Sequence, residues 1–149
     1  MTFKQKVLQQ YLQIVNDRID AFQDMIAALT EDSKNDAKGS AGDKHETALS
    51  MMHIEQEKIN KKLAEILEQR NILNKINIDN ISKKIALGSI VKTNGMLLFL
   101  STALPKIIVD NQSVIAVSSH SPLGQKLLGN EVGFQFEINT TKYIIEAVC

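Results

Sequence analysis

Along the first half of the chain, apolar residues return at alternating steps of four and three. Leu8, Leu12, Val15, Ile19, Phe22, Ile26 and Leu29 form one stripe; Leu49, Met52, Ile59, Leu63, Ile66 and Leu73 form a second, interrupted by Gln56 and Arg70. Such stepping is the seam of a coiled coil, and polar interruptions weaken a seam locally. If the two stripes belong to arms folded back antiparallel, facing layers share a constant total of residue numbers. Leu29 with Leu49, Ile26 with Met52, Phe22 with Gln56, Ile19 with Ile59, Val15 with Leu63, Leu12 with Ile66 and Leu8 with Arg70 each total 78. This register centres a bend on Gly39 and gives arms of roughly 28 residues, about 42 Å at 1.5 Å per residue. A two-helix hairpin buries only one seam per helix. It is expected to lean on a second domain at its open end, where Tyr11, Ile14, Leu67, Ile72 and Ile76 add apolar residues off the seam.

The pattern changes near 75–82. Up to about Leu73 there is no proline and glycine occurs only at Gly39 and Gly42, whereas from Gly88 onward glycine, proline and β-branched residues recur every few positions. SIVKTNGMLLFLS places two apolar runs around Asn94-Gly95, a pair that tolerates the positive φ of a tight hairpin turn. Strands are predicted near 89–93, 96–101, 107–109 and 113–118. SPLGQKLLG reads as a serine-capped helix with proline at its first position and a glycine stop. FQFEI and YIIEAV, joined by NTTK, make a terminal hairpin. The expected fold is α+β: an antiparallel coiled-coil hairpin over 1–77, with its tip at about 31–46, then an antiparallel β-sheet domain with a short helix over 78–149.

Composition removes several readings. Seventeen basic residues balance seventeen acidic ones and 44% of residues are apolar, an ordinary globular composition. A protein holding free nucleic acid mainly through phosphate contacts would carry a basic excess, which is absent overall. The single cysteine, Cys149, allows no disulfide framework within the chain, as suits a reducing compartment. MTFKQKVLQQ intersperses charge with apolar residues, unlike a secretory signal, and GMLLFLSTAL is half the length of a membrane span. A cytoplasmic protein is expected.

The stretch NDAKGSAGDKHET (35–47) carries the candidate chemistry. Asp43 and Glu46, spaced three apart, form a capping-box pattern whose carboxylates suit the positive end of a helix dipole. Glu31, Asp32 and Asp36 are lesser acidic candidates, read as solvated turn and C-terminal helix residues, and Lys34, Lys38 and Lys44 keep the region from being strongly acidic.

The chain resembles the bacterial Gre transcript-cleavage factors over nearly its whole length. HSPLGQKLLGNEVGFQFEI followed by a last strand is similar to their FKBP-like C-terminal domain, and it lies behind a coiled-coil hairpin of matching length. Gly42-Asp43-Lys44-His45-Glu46-Thr47-Ala48-Leu49-Ser50 aligns with the family's Gly-Asp-x-x-Glu-Asn-Ala-Glu-Tyr. The glycine and both acidic residues match, while Thr47, Leu49 and Ser50 replace asparagine, glutamate and tyrosine, and Asn130 stands where lysine is common. The resemblance implies a partner, RNA polymerase, whose secondary channel receives the coiled coil while the globular domain docks on the rim. It also implies that Asp43 and Glu46 help hold a Mg²⁺ ion at the polymerase active site near the nascent RNA 3′ end. There, two metals would stabilise the attacking and leaving oxygens of phosphodiester hydrolysis. The factor would lend ligands, with no membrane partner and no sequence-specific DNA. Two alternatives stay open: a secondary-channel regulator or inhibitor without cleavage activity, and a peptidyl-prolyl isomerase-like chaperone acting through the second half. An isomerase pocket wants several aromatics, and this half offers only Phe99, Phe134, Phe136 and Tyr143.

The remaining features carry less. His45 and His53, eight apart, make no metal-ligand spacing even with Met51 and Met52 nearby. Lys58, Lys61 and Lys62 share one helix face and read as solvated before they read as a contact for RNA phosphates or as partners of Glu55, Glu57 and Glu65. Ser118, Ser119 and Ser121 around His120 lack a glycine-flanked elbow and read as turn and cap residues. Gly39 and Gly42 are no phosphate loop, because no Gly-Lys-Ser/Thr follows.

Overall fold

The structure is a computed structural model describing residues 1–37 and 43–149, with side chains described for 1–32 and 49–149. Helix α1 spans Phe3–Ala37 and α2 Asp43–Asn74; β1 spans Ile90–Thr93, β2 Met96–Ser101, β3 Ile107–Val109 and β4 Gln112–Ser118; α3 spans Pro122–Leu127, β5 Gln135–Ile138 and β6 Thr141–Val148. The fold is α+β, a helical pair followed by a six-stranded sheet and a short helix. Contacts gather it into two compact units, Ile14–Arg70 and Met1–Gln13 with Asn71–Cys149.

In the first unit the predicted stripes are the covered faces. Val15 and Ile19 on α1 and Ile59 and Ile66 on α2 are buried, with Phe22, Ile26, Leu29, Leu49, Met52 and Leu63 half-buried beside them. The arms run antiparallel. Gln56 Nε2 donates to Thr30 Oγ1 at 3.2 Å and Arg70 Nη1 to Asn16 Oδ1 at 3.4 Å, so the partner number falls as the α2 number rises. Both pairs total 86, not the expected 78. The nearest total at which the two stripes again meet layer for layer is 85, one heptad beyond the predicted register. An apolar pattern that repeats every seven residues fixes which faces meet but is satisfied again after each heptad. The bend expected at Gly39 lies outside the described residues.

The second unit is built around β2. MLLFL is a continuous apolar run, as expected of a strand covered on both faces, and Leu98, Phe99, Leu100 and Ser101 are all buried. The sheet order is β3-β4-β2-β1-β6-β5. Four pairings are antiparallel, but β2 and β4 run parallel, Leu97 opposite Val114 through Ser101 opposite Ser118. The sheet is therefore mixed, a departure from the all-antiparallel expectation. Val91, Leu98, Leu100, Val117 and Ile145 gather with Ile85 and Leu127 of α3 on one face. On the other, Ile90, Phe99 and Ala116 are cross-strand neighbours, and Tyr11 near the start of α1 covers Phe99. Tyr11 stacks on Phe99 with ring centroids 5.8 Å apart and planes 3° from parallel. Val7 and Tyr11 are buried, whereas Leu8 and Leu12 of the predicted seam are half-buried, because here α1 turns its Val7–Tyr11 edge to the sheet.

Local signals set the turns. Asn94 and Gly95 adopt φ of 51° and 73°, as the Asn-Gly pair predicts, and Asp110-Asn111 and Asn139-Thr140 repeat the left-handed pair in the other two hairpins. Helix α1 opens on a reciprocal cap the pattern reading passed over: Gln5 N–H donates to Thr2 Oγ1 at 3.2 Å while Thr2 N–H donates to Gln5 Oε1 at 2.9 Å, the capping-box geometry.

Candidate functional site

The predicted tip carboxylates, Asp43 and Glu46, stand in the first turns of α2 by sequence, but their side chains lie outside the described residues, as do those of Asp36, Lys34, Lys38, Lys44 and His45. Glu31 and Asp32, on the last described stretch of α1, are exposed. Leu49, at a position where the resemblance calls for a carboxylate, is half-buried on the seam, and Ser50 beside it is exposed.

Farther along the arms, charge is arranged by face. Lys58, Lys61 and Lys62 are all exposed, and so are Glu55, Glu57 and Glu65. Lys6 pairs with Asp110 at 3.1 Å between two half-solvated groups, and the lysine face of α2 is exposed. The sequence reading missed a matching feature on α1: Asp17, Asp20, Asp24 and Glu31 are all exposed, and their spacing of three, four and seven sets them on one side of the helix. The signal that finds it is helical periodicity of charge, not of hydrophobicity. Among the described residues, no group of three or more histidine, cysteine, aspartate or glutamate side chains is placed to hold a metal ion. No described helix is long and apolar enough to cross a membrane.

The serine cluster of the second unit is structural. Ser121 Oγ accepts the Gly124 N–H at 3.0 Å and donates to the Ser118 carbonyl at 2.7 Å, capping α3. Ser118 Oγ accepts the His120 N–H at 3.1 Å, and His120 itself is exposed. With its oxygen and proton both engaged by backbone, Ser121 has no histidine to activate it as a nucleophile. The Asn130 backbone carbonyl accepts the Ile85 N–H at 2.9 Å while Gly129 N–H donates back to Ile85 at 2.7 Å, so Asn130 stitches the end of α3 to the strand-entry segment.

The aromatics of this unit stack on one another or on Tyr11. Phe134, Phe136 and Tyr143 stack in a ladder, with centroids 5.9 and 5.1 Å apart, and Phe99 is buried beneath Tyr11. Three surface clefts are lined, respectively, around Lys92, Met96 and Lys106; around Gln9, Gln10 and Ile108; and around Phe3, Ile78 and Cys149. None of these is lined by Phe99, Phe134, Phe136 or Tyr143. Tyr11 is held elsewhere: its hydroxyl donates to the Pro105 carbonyl at 2.9 Å, with the Val114 carbonyl at 3.3 Å. Burial pushes its pKa from 10.0 up to about 12, partly offset by a hydrogen bond with the Ala116 backbone.

No protein-family model matches the chain, and no curated protein matches it. Among solved structures it is similar to that of the transcription factor Gfh1, at 19% sequence identity over 96% of this chain and 91% of that chain, with a TM-score of 0.34.

Proposed function

We propose that the chain is an accessory factor of RNA polymerase that enters the secondary channel with its helical pair and stimulates cleavage of backtracked transcripts. Asp43 and Glu46 would supply oxygen ligands to an active-site Mg²⁺ held mainly by the polymerase. A hard cation takes carboxylate oxygens while keeping several waters, which is the share a visiting factor can provide. The polymerase performs the hydrolysis, and the factor is not itself an enzyme.

What supports the reading is one conjunction. Two antiparallel helices of 35 and 32 residues, about 50 Å each at 1.5 Å per residue, are joined where the sequence carries Gly42-Asp43-x-x-Glu46. The terminal domain, with its HSPLGQKLLG cap and helix, has the FKBP-like resemblance that would serve as the rim-docking part. A second reading has its own support. Leu49 belongs to the apolar seam where the Gre pattern carries glutamate, leaving two carboxylates in place of three. A factor so built could occupy the channel and slow synthesis without promoting cleavage.

The test is a backtracked polymerase complex with labelled RNA. The wild-type chain is expected to release short 3′ fragments, and Asp43→Asn and Glu46→Gln each to reduce that release by on the order of 10–100-fold, the range lost when a partner of a metal site is removed. Binding with inhibited synthesis and no fragment release selects the second reading. No binding to polymerase removes both.

A further inference from the structure

Two polar residues sit in the α2 seam where apolar ones would pack better. Both find an oxygen on α1. Gln56 donates to Thr30 and Arg70 to Asn16; the α2 pair and the α1 pair are each fourteen residues apart, two heptads. Thr30 and Asn16 each follow a seam residue, Leu29 and Val15. The Thr30 hydroxyl already donates to the Ile26 carbonyl at 2.9 Å, so toward Gln56 it can only accept, and Gln56 presents its amide N–H.

The apolar stripes alone do not choose between totals of 78 and 85, since both bring apolar layers together. The polar pairs do choose. At 78, Gln56 faces Phe22 and Arg70 faces Leu8, and neither Asn16 nor Thr30 is beside them. A polar group at a seam position that meets a protein partner in only one alignment favours that alignment, here through two hydrogen bonds open to solvent, at some loss of stability. We infer that Gln56 and Arg70 are positioning residues that lock the heptad register of the helical pair. Because the register decides where along α1 each residue of α2 is carried, they also set where Asp43 and Glu46 are presented. That last step rests on the proposed function; the lock itself does not.

The experiment uses the full chain with Cys149→Ser, spin-labelled in pairs at exposed positions, with interspin distances measured by pulsed dipolar spectroscopy. Labels at Ala28 and Glu57 are close in the observed register; labels at Ala28 and Ser50 would be closer in the alternative. The wild type should give one narrow distribution with 28–57 the shorter. Gln56→Leu with Arg70→Leu keeps the seam apolar, and circular dichroism checks that helix content is retained. This variant should add a second population with 28–50 the shorter, whereas Arg70→Lys, which keeps a donor beside an intact Gln56, should retain one population. An unchanged single distribution in the double leucine variant overturns the lock, as does a wild type with 28–50 the shorter. If the variant gains the second register but its effect on polymerase matches wild type, the positioning role is overturned. If the wild type has no effect on polymerase, the functional reading fails while the distances still judge the lock.

Discussion

Tyr11 shows how much one side chain can organise. It is fully buried, stacked on Phe99 and bonded to the Pro105 carbonyl. Its phenol titrates near 10 when unfolded and near 12 when folded. Between those values the folded protein keeps a proton that the unfolded chain releases, so the stabilisation is complete below pH 10 and is lost as pH rises through 12. Two units correspond to about 2–3 kcal/mol. Denaturant melts from pH 8 to 12 should show that decline in wild type, and Tyr11→Phe should flatten it while lowering stability at pH 8 by about 1 kcal/mol through the lost hydrogen bond. Gly124 marks a different constraint. A Cβ there would stand 1.9 Å from the Ser118 carbonyl oxygen, so Gly124→Ala should destabilise by roughly 1–3 kcal/mol, the overpacking range, with a lower thermal midpoint. Sequence reading counted Tyr11 only as an apolar residue off the seam and gave Gly124 no role. Both depend on neighbours, Phe99 and Ser118, that the local pattern does not reveal.

Elements were legible wherever their signal is local. Asn94-Gly95 foretold its turn through the φ values it tolerates, and Ser121-Pro122 foretold the start of α3 through the cap. Strands β3 and β4 and the β5–β6 hairpin followed from apolar runs broken by polar residues. Thr140 is the turn residue least suited to its place, β-branched at φ 69°, where a left-handed conformation costs an L-residue about 1–2 kcal/mol. Thr140→Gly should therefore raise stability by on the order of 0.5–1 kcal/mol after the added flexibility of the unfolded chain is offset, visible as a higher thermal midpoint. What stayed hidden at this scale was non-local. The parallel pairing of β2 with β4 skips over β3 and leaves no mark in either strand's pattern. The register of α1 against α2 is invisible modulo seven, until Gln56 and Arg70 are asked which oxygens they meet.

For the whole molecule, the α+β class was plain from the shift between helical periodicity and short β-branched runs, and the candidate site was legible only as chemistry. Asp43-x-x-Glu46 suits a helix cap and a metal alike, because a cap sets carboxylates against the backbone N–H groups at the positive end of a helix and a hard cation takes the same oxygens as ligands. What separates them is where that end goes when a partner is present. The most direct measurement replaces Lys44 with a photoreactive amino acid and irradiates the chain bound to a backtracked RNA polymerase complex. Crosslinks are expected from position 44 to the extruded RNA 3′ end and to polymerase residues lining the secondary channel, with none to RNA from the same probe at Gln125. Crosslinks from position 44 confined to the outer surface of the polymerase, with none to RNA, would rule out delivery of Asp43 and Glu46 to the active site.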